Sequence, residues 1–173
     1  SQNIAANDNV VATTSVAANS DGAVLKASNF GFTIPTGSTI GGIKVKFERW
    51  ASTNSPGCCI KTLHAYLLKA GVAGGTDKGD ATWWPTGGPG SNVNLGANND
   101  LWGQTWTPAD INSSTFGVQF TPHNYSGSAV TGSADYVEIT VTYTPPADDA
   151  FIGTSAAPVH RVDLVGACNY NAQ

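Results

Sequence analysis

Across GIKVKFERWA, residues 42–51, apolar Ile43, Val45 and Phe47 alternate with charged Lys44, Lys46 and Glu48. Successive side chains leave a strand on opposite sides, so a period of two marks a strand with one dry and one wet face. The same arithmetic recurs further on. STFGVQF puts Phe116, Val118 and Phe120 on one face, and DYVEITVTY does so with Val137, Ile139, Val141 and Tyr143. Strand signals begin at NVVATTSV, residues 9–16. No stretch carries the spacing of a long amphipathic helix. Twenty Gly and nine Pro, with many Ser, Thr and Asn, break the apolar segments into short pieces joined by tight turns. Roughly seven to nine such strands predict an all-β chain folded as one antiparallel β-sandwich.

Some segments are less regular. KTLHAYLLKA, residues 61–70, places Leu63, Ala65 and Leu67 on one face but loads the other with Tyr66 and Leu68, which predicts a strand buried on both sides. Residues 71–100 are crowded with Gly and Asn and read as a long loop region holding at most one short strand. Loops of that length often carry function. Trp83 and Trp84 lie in it, and they are either a ligand surface or a lid folded back over the core. TPHNYSGSAVTGSA, residues 121–134, reads as a hairpin loop. Thr107 is placed to cap a single helical turn that starts at Pro108. If WGQTW is a strand, Trp102 and Trp106 share a face and fill the core or line its edge.

Composition narrows the function classes. Charged residues make up 12% of the 173, against about 25% in ordinary soluble domains, and the formal charge of −4 comes with scattered Lys and Arg. No basic face is available to neutralise phosphates, which argues against nucleic-acid binding. No apolar run approaches the ~20 residues of a membrane span. Residues 1–20 lack the pattern of a secretion signal, and the chain begins without Met. Either a leader or an initiator Met has been removed. A Lys-poor surface rich in Thr, Ser and Asn suits an extracellular or virion-surface setting.

Signals for chemistry are sparse. His64, His123 and His160 are far apart, with no zinc-site spacing around them. Cys58, Cys59 and His64 could be written as ligands, but adjacent residues face opposite ways on a strand. No nucleophile elbow, phosphate loop or dinucleotide fingerprint is present. Asp77, Asp80, Asp100 and Asp110 are oxygen donors beside loops, in no calcium-loop spacing, and solvated turn or cap roles account for them. The expectation is therefore a non-enzyme with no catalytic residues, metal or cofactor. Cys58 and Cys59 are neighbours and would strain the backbone if bonded to each other. The open alternatives are three reduced cysteines, a bridge from Cys168 to Cys58 or Cys59 within or between chains, and a vicinal pair. The sequons NSS at Asn112 and NYS at Asn124 would accept glycans only in a host with that machinery.

Three ordered runs, ASNFGFTIPTGSTIGGIKVKFER, NDLWGQTWTPADINSSTFGVQF and ADYVEITVTY, carry a resemblance that covers about residues 20–144. The Phe-Gly-Phe-x-Ile-Pro-x-Gly turn, the Leu-Trp-Gly-x-x-Trp-x-Pro-x-Asp-Ile-Asn run and the closing Asp-Tyr-Val strand are together similar to a recurrent jelly-roll-like β-sandwich domain. It belongs to phage-type and bacterial surface structural proteins, most of them uncharacterised. The resemblance implies a structural or adhesive module and no active site.

The departure from that pattern comes after Pro145 and Pro146. Residues 1–145 make the sandwich and 146–173 an extension. ADDAFIGTSAA, residues 147–157, is written like a linker. PVHRVDLVGAC then resumes strand chemistry, with Val162 and Leu164 on one face and Val159 and Val165 on the other. An apolar strand left loose invites aggregation, so it calls for a dedicated groove. That groove lies in its own domain or in a neighbour's. The predicted function is head-to-tail self-assembly into a linear or helical homopolymer, with the tail of one copy completing the sandwich of the next and Cys168 able to lock the joint to Cys58 or Cys59. Residues 1–16 are the rival donor. The alternative, from a different class, is a carbohydrate-binding or host-attachment module using Trp83 and Trp84.

Overall fold

The computed structural model describes residues 10–52, 59–88 and 90–146, together with the backbone of 160–164. Two antiparallel sheets pack face to face, as the alternating strands predict. The first holds β1 (Ala12–Val16), β4 (Thr39–Ala51), β7 (Ser91–Ala97) and β9 (Val130–Thr144), in the order β1-β9-β4-β7. The second holds β2 (Ser20–Asp21), β3 (Leu25–Ser28), β5 (Ile60–Lys69), β6 (Val72–Gly74) and β8 (Gly117–Asn124), in the order β2-β8-β5-β6, with β3 also on β8. With β2 and β3 taken as two pieces of one edge strand, the chain visits the sheets in the order of an eight-stranded jelly roll. A tenth strand, β10 (His160–Leu164), pairs with β9.

The core is built by the period-two series. On β4 the inward positions run Ile43, Val45, Phe47, Arg49 and Ala51, all buried. Phe47 stacks on Phe120 of β8 with ring centroids 4.0 Å apart, joining the two sheets at mid-sandwich. From β9, Val137, Ile139 and Val141 are fully buried in the same layer. At one end Phe116 meets Phe32 and Trp106 edge to face. There the two motif runs are tied together: the Asn112 side chain accepts from the Ile34 N–H at 2.8 Å and donates to the Ile34 carbonyl at 2.9 Å. α1 (Pro108–Asn112) is the expected single turn, with Thr107 and Asp110 forming a reciprocal capping box.

Several expectations change. Residues 71–100 hold two strands, and β7 pairs with β4 along Ile43–Arg49. Its sequence, SNVNLGA, hides this because Asn sits on the wet face and Gly96 replaces a side chain. Gly96 has φ +72°, and a Cβ there would lie 2.5 Å from Trp102 Nε1. The glycine thus clears the path by which that indole N–H reaches the Ile43 carbonyl at 2.8 Å. Residues 121–134 are mostly strand, because β8 runs to Asn124 and β9 starts at Val130. WGQTW is a turn: Trp102 is left-handed at φ +56°, held there by its backbone N–H on Asp100 Oδ1 at 2.8 Å. Both tryptophans are buried, but through loop geometry rather than strand alternation.

The outer face of β5 is only partly dry, with Leu68 buried as expected but Tyr66 not. A bulge at Leu63 shifts the register between Thr62 and His64, so the inward set is Ile60, Thr62, Ala65 and Leu67. His64 and Tyr66 are left half-buried on the outside. Glu48, expected on a wet face, is buried opposite Tyr136.

Candidate functional site

The tail and the loop around Trp83 were the two places singled out by sequence, and each has a defined setting. β9 is fifteen residues long. One edge is paired with β4 from Thr39 to Ala51. The other edge is shared: β1 covers Val130–Ala134 and β10 covers Ile139–Tyr143. Val162 stands opposite Val141 and Leu164 opposite Ile139, two positions whose own side chains face the core. The strand predicted at the tail is therefore present, and its acceptor is the stretch of β9 beyond the end of β1. Of the proposed assembly residues, Val159 and Val165 lie outside the described residues. So do Cys58 and Cys168. Cys59 is buried and disulfide-bonded, which removes the alternative of three reduced cysteines.

β9 and β10 run antiparallel, with Tyr143 opposite His160. A hairpin joining two such positions needs ~2–5 residues. Residues 144–159 lie between them. The connection is much longer than pairing within one chain requires.

The tryptophan pair is split by the strand-like course of its segment. The backbone N–H groups of Lys78, Asp80 and Trp84 donate to Ala65, Thr62 and Ile60, so this segment runs along the edge of β5. Trp84 turns inward at 4% exposure, edge-on to Phe47 at 5.9 Å, with its indole N–H on Thr62 Oγ1 at 3.0 Å. It belongs to the core and is not part of a ligand surface. Trp83 turns outward at 40% exposure. Its ring stands at 85° to that of Tyr125, centroids 5.6 Å apart, and Tyr125 is itself 47% exposed. The Lys61 ammonium lies 4.1 Å from the Trp83 centroid and 5.4 Å from that of Tyr125. Beside this corner is an open cleft of about 220 Å³, lined by Lys61, Thr62, Leu63, Asp80 and Tyr125 among others. Tyr125 and His123 were missed by sequence reasoning because the neighbouring strand β8, distant in sequence, and the residue just after it bring them beside Lys61; His123 packs 4.2 Å from Tyr125 and pairs with Asp21 at 2.6 Å.

Beneath the corner lies a buried ion pair. Arg49 reaches across the core to Asp80, with further bonds to Thr62 Oγ1 at 2.5 Å and Thr82 Oγ1 at 3.1 Å. Arg49 occupies the next inward position of the series Ile43, Val45, Phe47, a signal in the alternation that sequence reasoning missed. Burial pulls the guanidinium below its ordinary value in spite of Asp80, and an arginine side chain nonetheless stays protonated in a protein.

All four loop carboxylates are engaged by the chain itself. Burial pushes each carboxyl up, and local bonds outweigh it to hold all four below the ordinary carboxylate value. The bonds come from His64, Ala65 and Gly79 N–H, and Tyr66 at Asp77; from Thr82 and Arg49 at Asp80; from Lys78 and Trp102 N–H at Asp100; and from Thr107 and Lys69 at Asp110. Among the described residues no three His, Cys, Asp or Glu side chains are grouped to hold a metal. Among the described residues no helix is long and apolar enough to cross a membrane. Asn112 is exposed, with its amide spent on Ile34. Asn124 is fully buried and donates to the Val16, Ala17 and Ser128 carbonyls, so the folded chain has no room for a glycan there.

Compared with known proteins, the chain matches no family model, no curated protein sequence and no solved structure.

Proposed function

We propose that this chain is a non-enzymatic structural subunit of an extracellular filament or virion surface, and that it assembles head to tail by strand exchange. The His160–Leu164 strand of one copy occupies the Ile139–Tyr143 edge of β9 in the next, by the same ladder that it forms in a single chain. The observation that carries this reading is the mismatch between the short distance the pairing spans and the long connection, residues 144–159, that serves it. At ~3.3–3.6 Å per residue that connection extends to roughly 50 Å, enough to cross to a neighbour. The same hydrogen bonds are made within or between chains, so what opposes the exchange is the entropy of association, which a high local concentration of subunits offsets. A donor and an acceptor on different parts of the surface also make a heterologous contact, which propagates as a polymer unless it closes into a ring. The resemblance to surface structural proteins points the same way.

Negative-stain electron microscopy of the purified protein and of a chain ending at Pro146 tests this. The expected result is filaments from the first and monomers from the second. Cysteines at the opposed positions Val141 and Val162 add a register test, since directly opposed residues sit at a spacing that a disulfide spans. Exchange gives a ladder of covalent multimers beyond that of the unsubstituted chain. Monomers throughout would refute it.

A second reading, a carbohydrate-binding or host-attachment module, is supported by the exposure of Trp83 against Tyr125. It is compatible with assembly, because the corner lies on the β5 and β8 sheet and the accepting edge on the other.

A further inference from the structure

We propose that the corner formed by Trp83, Tyr125 and Lys61 binds an acidic sugar, with the ring stacked on the aromatic faces and its carboxylate on the Lys61 ammonium. This rests on the second reading above and adds the ligand class. Two exposed rings packed edge to face leave apolar ring surface open to solvent, which suits the C–H face of a pyranose. The adjoining cleft, at about 220 Å³, is smaller than the ~300–1,000 Å³ of sites for drug-sized ligands. Its scale is one sugar unit.

Charge decides between a neutral, a cationic and an anionic ligand. Among the described residues, Lys61 has no carboxylate within salt-bridge distance. Of the nearby acids, Asp80 is paired with Arg49 and Asp21 is hydrogen-bonded to His123. Any ligand stacking on that Trp83 face must move the Lys61 ammonium aside, and an organic cation would do so against its repulsion. A carboxylate instead finds an ammonium already held above the stacking platform, pinned by two rings at 4.1 and 5.4 Å. The corner is also distinct in shape from an extended groove, which favours a compact ring over an acidic peptide.

The test titrates the full chain with a uronic-acid trisaccharide, the matching neutral trisaccharide and a short poly-glutamate peptide, by calorimetry and tryptophan fluorescence. The expected order is uronate above neutral sugar, with no binding of the peptide. Lys61→Gln should weaken uronate binding about threefold to fivefold and remove the preference over the neutral sugar, while Lys61→Arg keeps it. Trp83→Ala should weaken both sugars by about tenfold. Raising ionic strength should weaken only the uronate. Neutral sugar bound equally well in a Lys61-independent way would overturn the acidic assignment and leave the carbohydrate reading standing. Equal binding of poly-glutamate would overturn the sugar. No binding of any probe would overturn both, and unchanged thermal midpoints in the variants tie each loss to the corner rather than to unfolding.

Discussion

Removing the carboxylate of Asp80 tests the account of how the Trp83 segment is held. In the native chain the Arg49 side chain is 3% exposed and that of Asp80 14%, so water does little to screen the pair. Asp80→Ala leaves the guanidinium buried with only Thr62 and Thr82 hydroxyls as acceptors, and also strips Thr82 of two bonds. Breaking one partner of a buried pair costs about 3–5 kcal/mol. At roughly 2–4 °C per kcal/mol for a chain of this size, the melting temperature should fall by roughly 6–20 °C. Urea denaturation is the assay, and the midpoint should drop without a change in slope. Arg49→Met combined with Asp80→Ala should recover part of the loss, because the uncompensated charge is then gone while the aliphatic volume stays. A loss below about 1 kcal/mol from Asp80→Ala, or a double variant no better than the single, would refute the reasoning and mean that solvent reaches the guanidinium.

Acid should destabilise the fold through Asp77, Asp80, Asp100 and Asp110, all held below their ordinary value. A depressed carboxylate contributes fully above its unfolded value of ~3.9 and loses that contribution as pH falls through the folded value. Their contribution to the urea midpoint should be constant from about pH 5 to 7 and decline below about pH 4; a midpoint that rises between pH 5 and 3 would contradict this. Asn124→Ala should cost about 2–5 kcal/mol, because three carbonyls lose their donor in a buried setting. Thermal unfolding would show it, and a shift corresponding to under about 1 kcal/mol would mean that water replaces the amide.

The strands that build the core were legible because each is its own template. Phe116, Val118 and Phe120, or Val137, Ile139 and Val141, need only the period of two to be assigned to a face. The Thr107 cap was legible for the same reason, since its partners lie within one turn. β7 was not. Its Asn and Gly residues have no local preference for a strand, and it forms because β4 offers an edge and Trp102 needs the space left by Gly96. The candidate site was half legible. Trp83 and Trp84 could be singled out from their loop, but not which of them stays outside, and Tyr125 and Lys61 join the corner from other segments.

What the sequence determined by itself is therefore the set of dry faces, the capped turn and a strand in the tail after the linker. All of these are properties of residues close in the chain. Tertiary structure decided which of two adjacent tryptophans enters the core, where the bulge at Leu63 turns a face over, and that the tail strand lies on β9 beyond the reach of β1. Those outcomes depend on backbone partners from distant segments, which compete for the same hydrogen-bonding edges and the same space, and no local pattern encodes the winner.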